Sequence, residues 1–460
     1  MNDELQNLKK PGGAVVVMLC VTAVLATLAF GAVEHWSIGL IGVLTAVIVL
    51  MWLRISWRTG AFSFSQSPLL LPFLGIIVIG FIQLLPFGNS GVSPDMLGVP
   101  ASDALSLDPY ATRFFLIRAI ILFVFFAAAL TFINSRERLA RVATVLIIFG
   151  AAMAFFAILQ RLANVETIYG LRGSVNAQPF GSYINQHHFA ALMEMLSGVT
   201  LGLLFGHAVK RDKKLLLGIA ALVIGIAVIF TGSRGGLISY LGVVGFAALG
   251  SFLLGRVHSR HGTEPEAAEK VQHKLVLIGG GLALLLLIVG SASFLGGGEG
   301  LFRGIGAGQA EADITGGRSH YWSIALQIFL ANPILGAGLD AFGVAFTRYD
   351  TWHGLYRVEQ AHNDYLQILA DSGLLGFACV AAFIYLFIKR SSAAISGAHS
   401  DMGRSIAIGA AAGCLGILIH SFFDFPLRTT ANAFFFFLLV VMATNVVGKS
   451  GGRHRRSSER

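Results

Sequence analysis

Five polar stretches interrupt a chain otherwise built of apolar runs, and they hold the side chains with chemistry to offer. The first is QAHNDYLQILADSGLLG, from Gln360 to Gly376. It sets His362, Asn363 and Asp364 at the head of a helical pattern. His362, Tyr365, Leu366 and Leu369 follow the i, i+3, i+4, i+7 spacing of one helix face. Ser372-Gly373 closes that helix, and Gly373 and Gly376 permit close approach where the next apolar run begins. An imidazole with a pKa near about 6.5 suits a general base that takes a proton from a hydroxyl. The plainer reading is an interfacial helix carrying a snorkelling histidine.

The second stretch, ITGGRSHYWSIALQIFLANPILGAG, starts a helix after Gly316-Gly317 and stops it at Asn332-Pro333, with Tyr321, Trp322, Ala325 and Leu326 as its apolar face. Arg318 stands in its first turn, where the helix dipole disfavours a cation. An anion docked there, shared by free N–H groups and the guanidinium, would explain it. A pairing with Glu311 or Asp313 would explain it equally well. In FTGSRGGLISY, Arg234 sits in a tight glycine-rich turn between two apolar runs, either snorkelling or at the depth of a lipid phosphate. GSYINQHHFAALMEM brings Asn185, His187 and His188 to the start of a run. Adjacent histidines cannot share a helical face and no third ligand is suitably spaced, so a metal is not expected. HSFFDFPLRTTAN contains His420, Asp424 and Arg428, and the spacing of the last two reads as a local ion pair.

These residues need a frame, and the composition says which kind. Of 460 residues, 55% are hydrophobic and 12% charged, about half the roughly 25% charge of globular chains. Apolar runs near twenty residues recur along the whole length, each sufficient for a hydrocarbon core of about 30 Å. The expectation is an all-α polytopic membrane protein with about twelve spans, near 14–33, 37–53, 67–86, 113–133, 142–162, 187–208, 215–231, 236–254, 275–295, 373–388, 405–422 and 431–447. A β-barrel is disfavoured, because its strands would be about ten residues of alternating polarity. Cys20, Cys379 and Cys414 all fall inside spans, which argues against a disulfide framework.

The net charge of +9 does not indicate a nucleic-acid partner. Lys and Arg collect in alternate connections, among them SRERLARV, KRDKK and KRSSAAISGAHSDMGR, which orients both termini to the cytoplasm. The organisation expected is spans one to nine in 1–295, an outer loop in 296–372 with short helices carrying Arg318 and His362, spans ten to twelve in 373–447, and a disordered basic tail in 448–460. Arg234, Arg318 and His362 then come from separate connections on one side. Two guanidiniums suit a diphosphate, being planar, always charged and bidentate.

In this order and spacing the motifs resemble the O-antigen ligase family. His362-Asn363, nine residues, then Gly373-Leu-Leu-Gly376 match its signature H[NSQ]-x9-G-x-x-[GTY], and GGRSHYW…NPILGAGLDAF, TGSRGG and DFPLRTTAN are similar to further segments. The resemblance implies a GT-C-like, metal-independent, inverting glycosyltransferase without a cofactor. It would act at the periplasmic face of a bacterial inner membrane, moving a glycan from undecaprenyl diphosphate to a sugar hydroxyl of lipid A–core. It assigns diphosphate binding to Arg234 and Arg318 and the essential histidine to His362, with Asn185, His188, Asn363, Tyr365 and Trp322 as supporting positions. NQHHFAALMEM departs from the commoner Asn-x-Asn form of that segment. Related polymerases of O-antigen or exopolysaccharide and protein O-oligosaccharyltransferases share the donor and differ in acceptor. A solute transporter of the bicarbonate type is the reading from another class; it predicts ionisable residues at mid-membrane, of which the spans offer few.

Overall fold

The computed structural model describes residues 12–88, 103–174, 177–206, 208–258, 267–297, 317–352 and 358–445. Among these the chain is helical, with only two isolated β-bridges, Ile168–Arg172 and Phe180–Tyr183. In order the helices are α1 (Gly13–Leu28), α2 (His35–Thr59), α3 (Leu70–Gln83), α4 (Pro109–Phe132), α5 (Arg136–Leu162), α6 (Gln186–Phe205), α7 (Arg211–Phe230), α8 (Arg234–His258) and α9 (Ala267–Ala292). Then come α10 (Arg318–Ala331), α11 (Phe342–Phe346), α12 (Asp364–Ser396), α13 (Asp401–His420) and α14 (Thr430–Thr444). Asp108, Ser135, Asn185, Asn363 and Ser400 cap α4, α5, α6, α12 and α13 by accepting N–H groups of the first turn.

Among the described residues, eight helices are long and apolar enough to cross a membrane, and four shorter apolar ones, Gly13–Leu28, Leu70–Gln83, Gly281–Leu295 and Thr430–Thr444, stand at the other expected segments. The fold is that of a polytopic membrane protein. The expected basic tail 448–460 and the acidic partners Glu311 and Asp313 lie outside the described residues.

Two helices form the centre. Nearly every residue of α6 and every residue of α14 is buried, as expected of helices apolar on all sides. α6 and α13 run antiparallel and nearly touch. A Cβ at Gly198 would overlap the backbone of Gly413, and one at Gly202 the backbone of Gly409. Both chains thus carry glycines four apart at their contact. In lipid no hydrophobic force draws helices together, so backbone proximity supplies the packing.

A second, smaller core lies at one end of the bundle. Ile324, Ala325 and Ile328 of α10 pack with Phe342, Phe346 and Ala370, so the buried face of α10 runs through Ile324 and Ile328. Leu326, expected on that face, is exposed. α12 is broken at Gly373 (φ 61, ψ −160), where the expected Ser372-Gly373 stop falls. The segment 333–338 inserts at this break: Ala337 and Gly338 N–H donate to the carbonyls of Ala370 and Asp371 (2.9 and 3.0 Å), and Leu374 N–H donates to Pro333 (2.8 Å). A Cβ at Gly336 or Gly373 would collide with the opposing backbone, and both glycines have positive φ. Gln83, buried at the end of α3, completes the joint. Its Nε2 donates to the carbonyls of Leu335 (2.6 Å) and Asp371 (2.9 Å), and its Oε1 accepts from Leu339 N–H (2.9 Å).

Candidate active site

The end of the bundle bearing this small core is where α6 and α8 begin, α13 ends and α12 begins. Their terminal turns supply a cluster of His, Arg and Asp side chains. His362 does not belong to a helix face, as its spacing suggested. Asn363 is the N-cap of α12, accepting from Tyr365 and Leu366 N–H at 3.0 and 3.1 Å, so His362 precedes the helix. Its backbone is left-handed (φ 50), at an expense of order 1–3 kcal/mol for a side-chain-bearing residue. Both neighbours are pinned: Ala361 N–H donates to Gln367 Oε1 (2.5 Å) and Asp364 N–H to the Ser421 carbonyl (2.9 Å). Asn363 Nδ2 also donates to the Phe422 carbonyl (3.2 Å).

The imidazole of His362 is held by a residue that sequence reasoning had given to another partner. Asp424 Oδ1 lies 3.1 Å from His362 Nδ1, and Phe425 meets the ring edge-on at 4.9 Å. The expected Asp424–Arg428 pair does not form. α13 ends at His420 and the chain turns through Pro426–Arg428, so the i, i+4 spacing is not helical there. The Asp424 carboxylate is 2% exposed, and His362 31%. Burial would raise the pKa of Asp424, but the His362 hydrogen bond and the charges of His188, His362 and His187 prevail and hold it well below the usual carboxylate range. An ionised Asp424 only accepts, so His362 Nδ1 is the donor. In the neutral ring the lone pair is therefore on Nε2.

Arg428 instead bridges Asp340 (2.5 Å) and Asp371 (2.5 Å), with Arg118 completing the group at 2.5 Å from Asp340. Burial would lower Arg428, but Asp371, Asp340 and Asp364 raise it; burial would raise Asp340, but Arg428 and Arg118 lower it. This network fastens the 333–341 segment and the 421–429 turn to α4 and α12.

Arg318 and Arg234 are each the first residue of a helix, α10 and α8. Gly317 before Arg318 is left-handed (φ 85), and no side chain caps α10. Among the described residues Arg318, half-buried, makes no hydrogen bond or ion pair. Its charge is felt by His187 and His420, and His187 in turn feels His362 and Asp424. Tyr321, one turn into α10, faces His362 with ring centroids 6.0 Å apart. Gly235, adjoining Arg234, lies against His420: a Cβ there would be 3.3 Å from its Cδ2 and 3.4 Å from its Nε2. Arg234 is thereby at the same end of the bundle as Arg318 and His362.

The supporting positions divide. Asn185 caps α6 through His187 N–H (2.8 Å). His188 is buried beside the cluster, its Nδ1 2.8 Å from Thr429 Oγ1 and its ring edge-on to Phe425 at 4.7 Å. Tyr365 points elsewhere. Its hydroxyl donates to the Leu418 carbonyl (2.7 Å), its ring packs on Phe422, and it lines an apolar groove of about 260 Å³ between α3, α4, α12 and α14. Trp322 has no described contact with His362, and its indole N–H is buried without a partner among the described residues.

The spans also hold an ionisable pair that the sequence did not suggest. Glu194 of α6 and His420 of α13 are both buried, with Nδ1 at 3.0 and 3.2 Å from the two carboxylate oxygens. The chance that a lone Glu in an apolar run is matched by a histidine some two hundred residues later is visible only once the glycine seam between α6 and α13 is known.

Compared with known families, residues 219–381 match the one described as O-antigen ligase. The match runs from within α7 into α12 and includes Arg234, Arg318 and His362. No curated protein matches the chain.

Proposed function

We propose that this chain, whose residues 219–381 match the family described as O-antigen ligase, has a ligase/polymerase type of activity and transfers a glycan from undecaprenyl diphosphate to a sugar hydroxyl of lipid A–core at the periplasmic face of the inner membrane. The observation that supports this reading is His362, held by a buried Asp424 and faced by Tyr321 of the helix that Arg318 begins, with Arg318 itself not committed to any described carboxylate. Arg318 and Arg234 take the donor diphosphate, each charged hydrogen bond contributing about 1.5–3 kcal/mol. The first-turn N–H groups of α10 add to this. His362 Nε2 accepts the proton of the acceptor hydroxyl. The hydroxyl oxygen forms the new bond to the anomeric carbon, the bond from that carbon to the phosphate oxygen breaks, and the electron pair leaves with the diphosphate, neutralised by the arginines. Attack opposite the leaving group inverts the anomeric centre, and no metal enters these steps.

The test is replacement of His362, Arg318 and Arg234 by Ala, one at a time, in a strain lacking the native protein. Loss of surface glycan at normal protein levels is expected, and unchanged glycan overturns the reading. The deletion strain itself separates the acceptors. Full-length polymer stranded on the carrier lipid indicates a ligase, whereas a single repeat capped on the core indicates a polymerase.

A further inference from the structure

The mechanism above leaves the Glu194–His420 pair unused. It lies inside the membrane-spanning part of the bundle, where a charged group is expensive and is seldom kept without a task. The pair is enclosed: the side chains of His420 and Glu194 are 1% and 0% exposed. Glu194 grips one ring nitrogen only, Nδ1. The opposite ring edge, Cδ2 and Nε2, lies against Gly235 in the first turn of α8, next to Arg234. The same histidine is tied to the site's other carboxylate, since Asp424 N–H donates to the His420 carbonyl (3.1 Å).

The protonation of such a pair follows from its surroundings. Carrying two protons it is neutral overall, either as carboxylate with imidazolium or as carboxylic acid with imidazole. In both forms Nε2 carries hydrogen. Carrying one proton it is a buried net anion, and Nε2 offers a lone pair. A bare buried anion is far more expensive than a neutral pair, so the two-proton form is favoured, and with it an Nε2–H donor.

We propose that His420, proton-loaded and aimed by Glu194, is a third ligand of the anion held by Arg234 and Arg318. The proposal rests on the diphosphate reading given above. It adds to that reading a donor which exists only while the pair keeps its second proton, so that anion affinity falls as pH rises. The ligand it selects is a fully ionised diphosphate diester, an acceptor of hydrogen bonds on every free oxygen. Gly235 is what allows the approach: any side chain there meets the imidazole and, at 2.9 Å, Phe423 Cβ. The charged groups around His420 are Glu194, His187 and His188 from α6, Arg318 from α10 and Asp424 from the turn after α13.

The test uses the full chain in lipid nanodiscs and a probe that does not itself titrate near neutrality, dicitronellyl diphosphate. Affinity is measured by calorimetry from pH 5.5 to 9 in a His362→Gln background, which removes the partly exposed imidazole of the site. Binding is expected to weaken about tenfold across this range, the worth of one charged hydrogen bond. Glu194→Gln is expected to shift the fall to lower pH, and His420→Gln to give weak binding that no longer changes with pH. Glu194→Asp, which withdraws the carboxylate from the ring, serves as an independent second variant and should also move the midpoint. A flat profile in the His362→Gln background alone overturns the proposal, and so does a sloping one that these variants leave in place. If Arg318→Ala and Arg234→Ala bind the probe as the parent does, the diphosphate reading has failed. If they lose binding while His420→Gln keeps the parental profile, only the third ligand has failed.

Discussion

Asp424→Asn is the sharpest probe of how His362 is used. The substitution keeps size and one acceptor oxygen but removes the charge that fixes the ring. The bond is 3.1 Å long, to a carboxylate 2% exposed, so solvent does little to weaken it. A hydrogen bond to a charged group contributes about 1.5–3 kcal/mol. If that energy orients the ring and stabilises the imidazolium formed as the acceptor loses its proton, its loss slows transfer by about 10- to 150-fold. Removing His362 itself forfeits general-base catalysis, about 10²–10⁴ in rate. The assay is glycan transfer by the purified protein in nanodiscs, followed by release of the lipid diphosphate, with donor affinity measured separately. Asp424→Asn should lower kcat and leave donor affinity within about twofold, because the arginines are untouched. The double variant with His362→Ala should be no slower than His362→Ala alone, since Asp424 acts through the histidine. Two results would refute the reasoning: wild-type kcat in Asp424→Asn, or losses that multiply in the double variant.

Further outcomes follow from the same geometry. Arg318→Lys keeps the charge but loses the planar fork, and donor affinity should drop about tenfold or more, read by calorimetry. Replacing Arg428 with Met leaves Asp371 buried without its cation, while Asp340 keeps Arg118; about 3–5 kcal/mol of stability should be lost, seen as a lower melting temperature in detergent. Gly413→Leu should prevent α6 and α13 from closing and give little monodisperse protein, whereas Gly218→Leu, where a Cβ meets nothing, should leave yield unchanged. The pKa values of Asp340 and Asp424 are depressed on folding, so their stabilisation is complete above the unfolded carboxylate pKa of about 3.9 and is lost as pH falls through the folded values. Melting temperature should therefore drop below about pH 4, and Asp340→Asn should blunt that drop.

The sequence was informative where one chain segment decides its own structure. Apolar runs of sufficient length located the helices, Asn332-Pro333 stopped α10, and Gly373 marked the break in α12. It was informative about the site only as far as residue type allows. His362, Arg234 and Arg318 stood out because charged groups at the margins of apolar runs are unusual. Their partners were not legible, since partner choice is a tertiary matter. Asp424 and Arg428 are four apart and look paired, but the helix has ended and each turns to a residue more than fifty positions away. His362 was misplaced for a similar reason: a residue just before the cap and the first residue of a helix face look alike until the backbone is known. Glu194 drew no attention because its counterpart lies on another span, brought to it by glycines whose purpose is equally invisible in one dimension.

The insertion at Gly373 has a mechanical outcome. Because 333–338 is bonded to both halves of the broken α12, and Gln83 and Arg118 lock the same region to α3 and α4, this part of the cap cannot swing away without unravelling a helix that continues along the bundle. A bulky, lipid-borne reactant would then have no doorway from above this segment; it would slide in from the side, between helices, carrying its hydrophilic end along the bilayer surface.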